Sequence, residues 1–236
     1  MHHNRTIIGL TVLGLFAGLL GSGMAADGQG DLPRVLIIGD SISIGYTDKV
    51  AELLAGEAVV ERPMGEDGKA ENCGPTSKGI ADLDLWLGDA RWDVIHFNWG
   101  LHDLCYRHPD STATGHRDKV NGTITVTPEQ YEANLRQLVA RLKATGANLI
   151  WASTTPVPEG TLGRFVGDEV TYKEIAARVM AENNIPIDDL YAYMLPEVAK
   201  YGRAPGEVHY TDEGSDYLAV KVAAAIKSGL EGESTP

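Results

Sequence analysis

The sequence predicts an α/β fold, a three-layer α/β/α sandwich around a mostly parallel five-stranded sheet. Three observations carry that expectation. Short apolar runs alternate along the chain with longer stretches of helical periodicity. The first run, Arg34 to Ile38, is continuously apolar from Val35 onward rather than alternating, as in a strand buried on both faces. The segments between runs are long enough to hold crossover helices, which join parallel neighbours with a right-handed turn.

Taken in order, the first strand ends at Gly39. Val50, Leu53 and Leu54 give Thr47 to Ala55 a helical face, and Gly56 is placed to end it. Ala58 to Glu61 is a short second strand, followed by a Gly- and Pro-containing loop from Arg62 to Pro75. Ser77 to Leu87 reads as a helix with Ile80, Leu83, Trp86 and Leu87 on one face. Asp93 to Asn98 is the third strand. Trp99 to Thr127 lacks periodicity and is long for a simple connection, which marks a functional loop.

Thr127, Pro128 and Glu129 supply a cap, a first-turn proline and an early acid, so a helix starts there and runs to about Thr145 before Gly146. Asn148 to Ser153 is the fourth strand and Thr154 to Gly167 a second irregular loop, whose Thr154 to Pro158 stretch walls the cleft. Glu169 to Asn183 is helical. Ile185 to Ile187 is a fifth strand, with Pro186 suiting an edge. A helix from Tyr191 to Tyr201 and another from Thr211 to Lys227 complete the chain.

Residues 1–25 read as a signal peptide. Arg5 precedes an apolar stretch from Ile7 to Leu20, and Gly23 and Ala25 have the small-residue spacing of a cleavage site. The stretch is shorter than the ~20 residues of a membrane span. Residues 26–236 are read as a single catalytic domain, secreted or periplasmic, with no stable membrane association after cleavage. The whole chain carries 33 acidic and 20 basic residues, a net charge of −13. That balance argues against nucleic acid and anionic lipid as partners. Cys73 and Cys105 both fall in loops after neighbouring strands, and a disulfide between them is left open.

Three distant segments put reactive residues just past a strand or just before a helix: Gly39-Asp40-Ser41, Gly100-Leu101-His102-Asp103 and Val208-His209-Tyr210. An α/β sheet gathers such segments at the carboxyl ends of its strands. With these blocks the chain resembles the SGNH (GDSL-type) hydrolases, over nearly all of the sequence from Val35 to the final helix. The resemblance implies a flavodoxin-like fold and a serine esterase. It implies Ser41 as nucleophile and His209 as general base. The oxyanion donors it implies are Ser41, Gly74 and His102, the last standing where the family has Asn, with Asn98 as fallback donor. The family's Asp three residues before the base is Gly206 here. Glu207 is the nearest acid, so either Glu207 orients His209 or the site is a dyad.

Asp40, Asn98, Trp99, Gly100 and Asp103 are candidate site-shaping residues, with Trp99 a candidate platform for a sugar ring. Asp40 and Asp103 read more naturally as bonding loop amides. His96 reads as packing, and Trp86, Trp92 and Trp151 as core. His108 and His116, near Asp110 and Asp118, fit no standard ligand spacing, so neither a metal nor a cofactor is expected. Asn121-Gly122-Thr123 has the glycosylation pattern. The expected substrate is a small-molecule or glycan ester, foremost an acetyl ester on carbohydrate. Rival readings are a lipase-like acylhydrolase for longer chains and a non-catalytic carbohydrate-binding relative.

Overall fold

The structure, a computed structural model, describes residues 32–232. The expected signal peptide lies outside the described residues. In chain order the elements are β1 (Arg34–Ile38), α1 (Ser41–Leu53), β2 (Val59–Glu61), α2 (Thr76–Leu87), β3 (Val94–Phe97), β4 (Tyr106–Arg107), β5 (Thr123–Ile124) and α3 (Pro128–Ala144). They continue with β6 (Asn148–Ala152), α4 (Asp168–Glu182), β7 (Ile187–Asp188), α5 (Leu190–Met194), α6 (Val198–Tyr201) and α7 (Asp212–Leu230).

The main sheet has the order β2-β1-β3-β6-β7 with every pair parallel, as the alternating pattern predicts. From β1 the chain first builds outward to β2, then returns to the other side with β3. The crevice at the carboxyl ends of β1 and β3 is therefore the switch point, where ligands bind in such sheets. The loop after β1 carries Ser41, and the loop after β3 carries Asn98 to Asp103.

Local chemistry explains the boundaries. Helix α1 starts at Ser41, six residues before the expected start. Asp40 caps it, its Oδ1 accepting the Ile42 N–H at 2.9 Å. Its buried face runs through Ile42, Ser43, Tyr46, Thr47 and Val50. The small polar members Ser43 and Thr47 hide that face from a reading of hydrophobicity. Helix α3 has the expected start, with Thr127 and Gln130 closing a capping box around Pro128.

The expected tail helix is broken into α5, a 3₁₀ turn at Leu195–Glu197 and α6. Pro196 sits in the break, where its ring and missing N–H oppose a continuous helix. The fifth strand lies at 187–188 rather than 185–187; Pro186 contributes only its carbonyl, which accepts the Trp151 N–H at 3.0 Å. The long 99–127 segment holds a small antiparallel sheet of its own, with Tyr106 opposite Ile124.

The core forms on both faces of the sheet. Trp86, Trp92 and Trp151 are buried as expected, and Phe97 meets Trp151 edge-on at 5.2 Å. Cys73 and Cys105 are both buried and free. His96 is fully buried in β3, and its Nε2 lies 3.1 Å from Asp188 Oδ2 across β6. Removing one member strands the other in the apolar interior. Asp188→Ala is therefore expected to lower the urea-unfolding free energy by about 3 kcal/mol; a loss below about 1 kcal/mol contradicts this account of the pair.

Candidate active site

Ser41 is the first residue of α1, and its Oγ lies 2.8 Å from His209 Nε2. His209 Nδ1 lies 2.8 Å from Glu207 Oε1. The three side chains form one hydrogen-bonded line, with Nδ1–H facing the carboxylate and bare Nε2 facing the hydroxyl.

Two close backbone approaches hold this line together. Helix α7 packs along α1 at Gly45, where an added Cβ would stand 2.9 Å from Ser215 Oγ. Lys49 and Asp216 pair across the same helices at 2.6 Å. Just before α7, the His209 carbonyl accepts the Arg203 N–H at 2.9 Å, and Thr211 N–H donates to Tyr201 O at 2.8 Å. Those bonds fix the imidazole's segment against 201–203.

The second approach explains why the acid stands at 207. Gly206 has φ of +73°, and a Cβ there would fall 2.8 Å from Gly160 O. A side chain at that position is excluded by both conformation and space. The turn instead presents the following residue, Glu207, to the imidazole. Arg203 lies 3.6 Å from the same carboxylate oxygen, on its exposed side.

The candidate oxyanion donors differ in readiness. The Ser41 amide opens α1, where the helix dipole favours negative charge. The Gly74 N–H is already given to Asn72 Oδ1 at 3.0 Å. His102 is mostly buried, and no side-chain hydrogen bond holds its ring among the described residues. Burial lowers its pKa; the charge of Asp40 opposes that effect, and Arg164, Arg107 and Arg117 add to it. His102 is thus a neutral donor at pH 7. Asn98 turns its Nδ2 to Ala152 O at 2.7 Å and so braces β3 against β6.

Trp99 is 1% exposed, its ring packed under α2 at Gly79. It therefore presents no platform to a sugar, and its place is in the core. Gly100 lies against Thr154, whose side chain a Cβ would strike, so the Thr154 to Pro158 loop abuts the third block. Asp40 and Asp103 bond helix-start amides rather than the expected loop amides: Asp40 caps α1, and Asp103 Oδ1 accepts Thr76 N–H, the first of α2, at 2.8 Å and Thr76 Oγ1–H at 2.5 Å. No group of three or more His, Cys, Asp or Glu suited to a metal occurs among the described residues.

Sequence reading missed Arg62. Its Nη1 donates to Thr47 Oγ1 at 3.0 Å and its Nη2 to Glu71 O at 2.7 Å, with longer bonds to Ser43 Oγ and Gly39 O. One guanidinium thereby ties the turn that carries Ser41 to the loop that carries Gly74. Cys73 N–H, donating to Gly39 O at 3.2 Å, adds a second tie. Nothing in the sequence around Arg62 signals this, because its partners are mostly backbone carbonyls and hydroxyls.

The sequence profile of the GDSL-like Lipase/Acylhydrolase family matches residues 37–217. None of the curated protein sequences matches the chain. Among solved structures, the acetyl xylan esterase AlAXEase aligns over 82% of this chain and 99% of its own, at TM-score 0.61 and 18% identity. A lipase/acylhydrolase from Enterococcus faecalis aligns over 84% and 96%, at TM-score 0.65 and 17% identity. An acetyl xylan esterase from Geobacillus stearothermophilus aligns over 84% and 95%, at TM-score 0.63 and 20% identity. At these identities the likeness shows a shared fold.

Burial pushes the Asp103 carboxyl up to about 7, against the Thr76 bonds that favour its charge. The folded state therefore holds a proton that the unfolded chain has lost above about pH 4. Its stabilising contribution is full below that pH, falls as pH rises toward 7 and is absent above. Unfolding free energy of the wild type relative to Asp103→Asn should thus fall by a few kcal/mol between pH 4 and 8, at about 1.4 kcal/mol per unit. A difference that stays flat across that window contradicts the assignment.

Proposed function

The chain belongs to the GDSL-like lipase/acylhydrolase family, and on that premise we propose that it is an exported serine esterase working through Ser41, His209 and Glu207. The observation that carries this reading is the continuous hydrogen-bonded line from Ser41 Oγ through the imidazole to Glu207. His209 Nε2 takes the Ser41 proton as Oγ attacks the ester carbonyl. Glu207 keeps the ring in the tautomer that leaves Nε2 bare and balances the imidazolium that forms. The imidazolium returns its proton to the departing alcohol. Water then repeats the attack on the acyl-enzyme and releases the acid.

The oxyanion falls first to the Ser41 N–H and the neutral His102 N–H. Gly74 joins them by sharing or giving up its bond to Asn72. His102, in the place of the family's Asn, supplies a donor of comparable reach.

A small acyl group, foremost acetyl on a carbohydrate, is the favoured substrate. The aligned acetyl xylan esterases point this way. The leader pattern of residues 1–25 supports export. Among the described residues no helix is long and apolar enough to cross a membrane.

Ser41→Ala should remain folded and lose on the order of 10⁵–10⁶ in kcat/KM on 4-nitrophenyl acetate. Wild-type turnover by that variant would exclude Ser41 as nucleophile. Glu207→Gln should lose ~10²–10⁴ in kcat with little change in KM; a loss under threefold leaves a Ser-His dyad as the working unit. Across 4-nitrophenyl esters, kcat/KM should be highest at two to four acyl carbons. A maximum at eight or more carbons favours the longer-chain acylhydrolase instead.

A further inference from the structure

An acidic chain has carboxylates to spare for its cations, and about half of those described are paired in this way, among them Arg34 with Glu61, Arg136 with Glu132 and Glu182, and Arg141 with Asp84. One cluster departs from the pattern. Arg107, Arg117, Lys119 and Arg164 gather where the 99–127 segment meets the 154–167 loop. None has a carboxylate within ion-pair distance among the described residues.

Backbone contacts build the cluster. Tyr106 N–H donates to Gly163 O at 2.7 Å, Arg107 and Arg117 face each other in an antiparallel bridge, and Lys119 Nζ donates to Arg164 O at 3.2 Å. Arg164 is 2% exposed. Its Nε donates to Leu101 O at 2.8 Å, one residue before His102, yet its Nη1 is buried without a partner. The Nε of Arg117 is likewise buried and unpartnered.

Buried donors on a charged group are normally satisfied, and leaving them bare is costly. Here two such groups lie close enough for each to feel the other's charge, and His102 feels both. Of the acids nearby, Asp168 leaves its Oδ2 buried without a partner but lies outside ion-pair distance of all four cations, and the others are engaged or exposed. Asp118 accepts the Val120 and Asn121 N–H groups, Asp110 is exposed beside His108, and Asp40 caps α1 while its charge reaches Arg164 without an ion pair.

We propose that Arg117 and Arg164 hold a carboxylate of the substrate beside His102, so that the esters this chain cleaves carry that negative charge near the scissile bond. A planar guanidinium presents its N–H groups in the fork that a carboxylate fits, and two of them leave few of its lone pairs unmet. The inference rests on the ester-hydrolase reading above. It is also discriminating, because a net charge of −13 repels anions from the chain as a whole. Any preference for an anionic ester therefore has to come from a local site.

Two substrate pairs test it. 4-Acetoxyphenylacetate against its methyl ester puts the charge on the alcohol side; mono-4-nitrophenyl succinate against 4-nitrophenyl methyl succinate puts it on the acyl side. In one pair the wild type should favour the anion by about tenfold in kcat/KM, and the responding pair tells which side of the ester lies toward the arginines. Arg117→Gln and Arg164→Gln should each cut that ratio at least fivefold. Arg178→Gln, paired with Glu132 on the α4 surface, should leave it unchanged. Arg117 is half-buried, so its variant serves if the Arg164 variant does not fold. Ratios at or below one in both pairs, or a ratio that neither arginine variant moves, overturn the subsite while leaving the esterase reading intact. Failure to hydrolyse all four esters overturns that reading itself.

Discussion

The contact between Ser41 Oγ and His209 Nε2 joins residues 168 positions apart and is the constraint on which the rest of the site depends. Neither side chain is reactive alone: the hydroxyl is a poor nucleophile until a base takes its proton, and the imidazole is useful only while its other nitrogen is held. The fold supplies both conditions through backbone approach. Glycine at 45 lets α7 close on α1, and glycine at 206 lets the turn before His209 press on Gly160. The hydrogen-bonded line is thus a product of helix and loop packing more than of the sheet, whose part is to bring the first and third blocks side by side at the switch point.

Charge is distributed unevenly around that line. On one side Glu207 Oε1 faces His209 Nδ1 at 2.8 Å, where the proposed mechanism needs a negative charge. On the other, His102 sits among arginines and is held neutral chiefly by burial. Burial pushes the carboxyl of Asp103, directly after it, up to about 7. The His102 side thus sets a neutral imidazole near several arginines, in a protein whose overall charge is strongly negative. Arg62 joins the two sides mechanically, tying the Ser41 turn to the Gly74 loop through carbonyls and hydroxyls.

Much of this was legible in the sequence. The parallel sheet followed from runs such as Val35 to Ile38, apolar at every position, and α3 announced itself through Thr127 and Pro128. Ser41 and His209 stood out by their place after a strand or before a helix, and Glu207 entered as the acid nearest to Gly206, where the resembled family has Asp. What escaped has physical reasons. The first half of α1 buries Ser43 and Thr47, which a hydrophobicity pattern scores as surface. Trp99 looked like a platform because loops are usually open, yet Gly79 gives its ring a berth under α2. Arg62 and Arg164 bind backbone carbonyls remote in sequence, and no local pattern encodes such partners. The Asn72 bond to the Gly74 amide is equally invisible without coordinates.

The most direct test of the account is covalent labelling of the nucleophile by a fluorophosphonate, followed by intact mass and peptide mapping, in the wild type and in His209→Gln. Activation of Ser41 by the neighbouring imidazole predicts one adduct per chain, on Ser41, formed at least ~10³-fold faster in the wild type than in the variant. An adduct elsewhere, or equal rates in the two proteins, contradicts it.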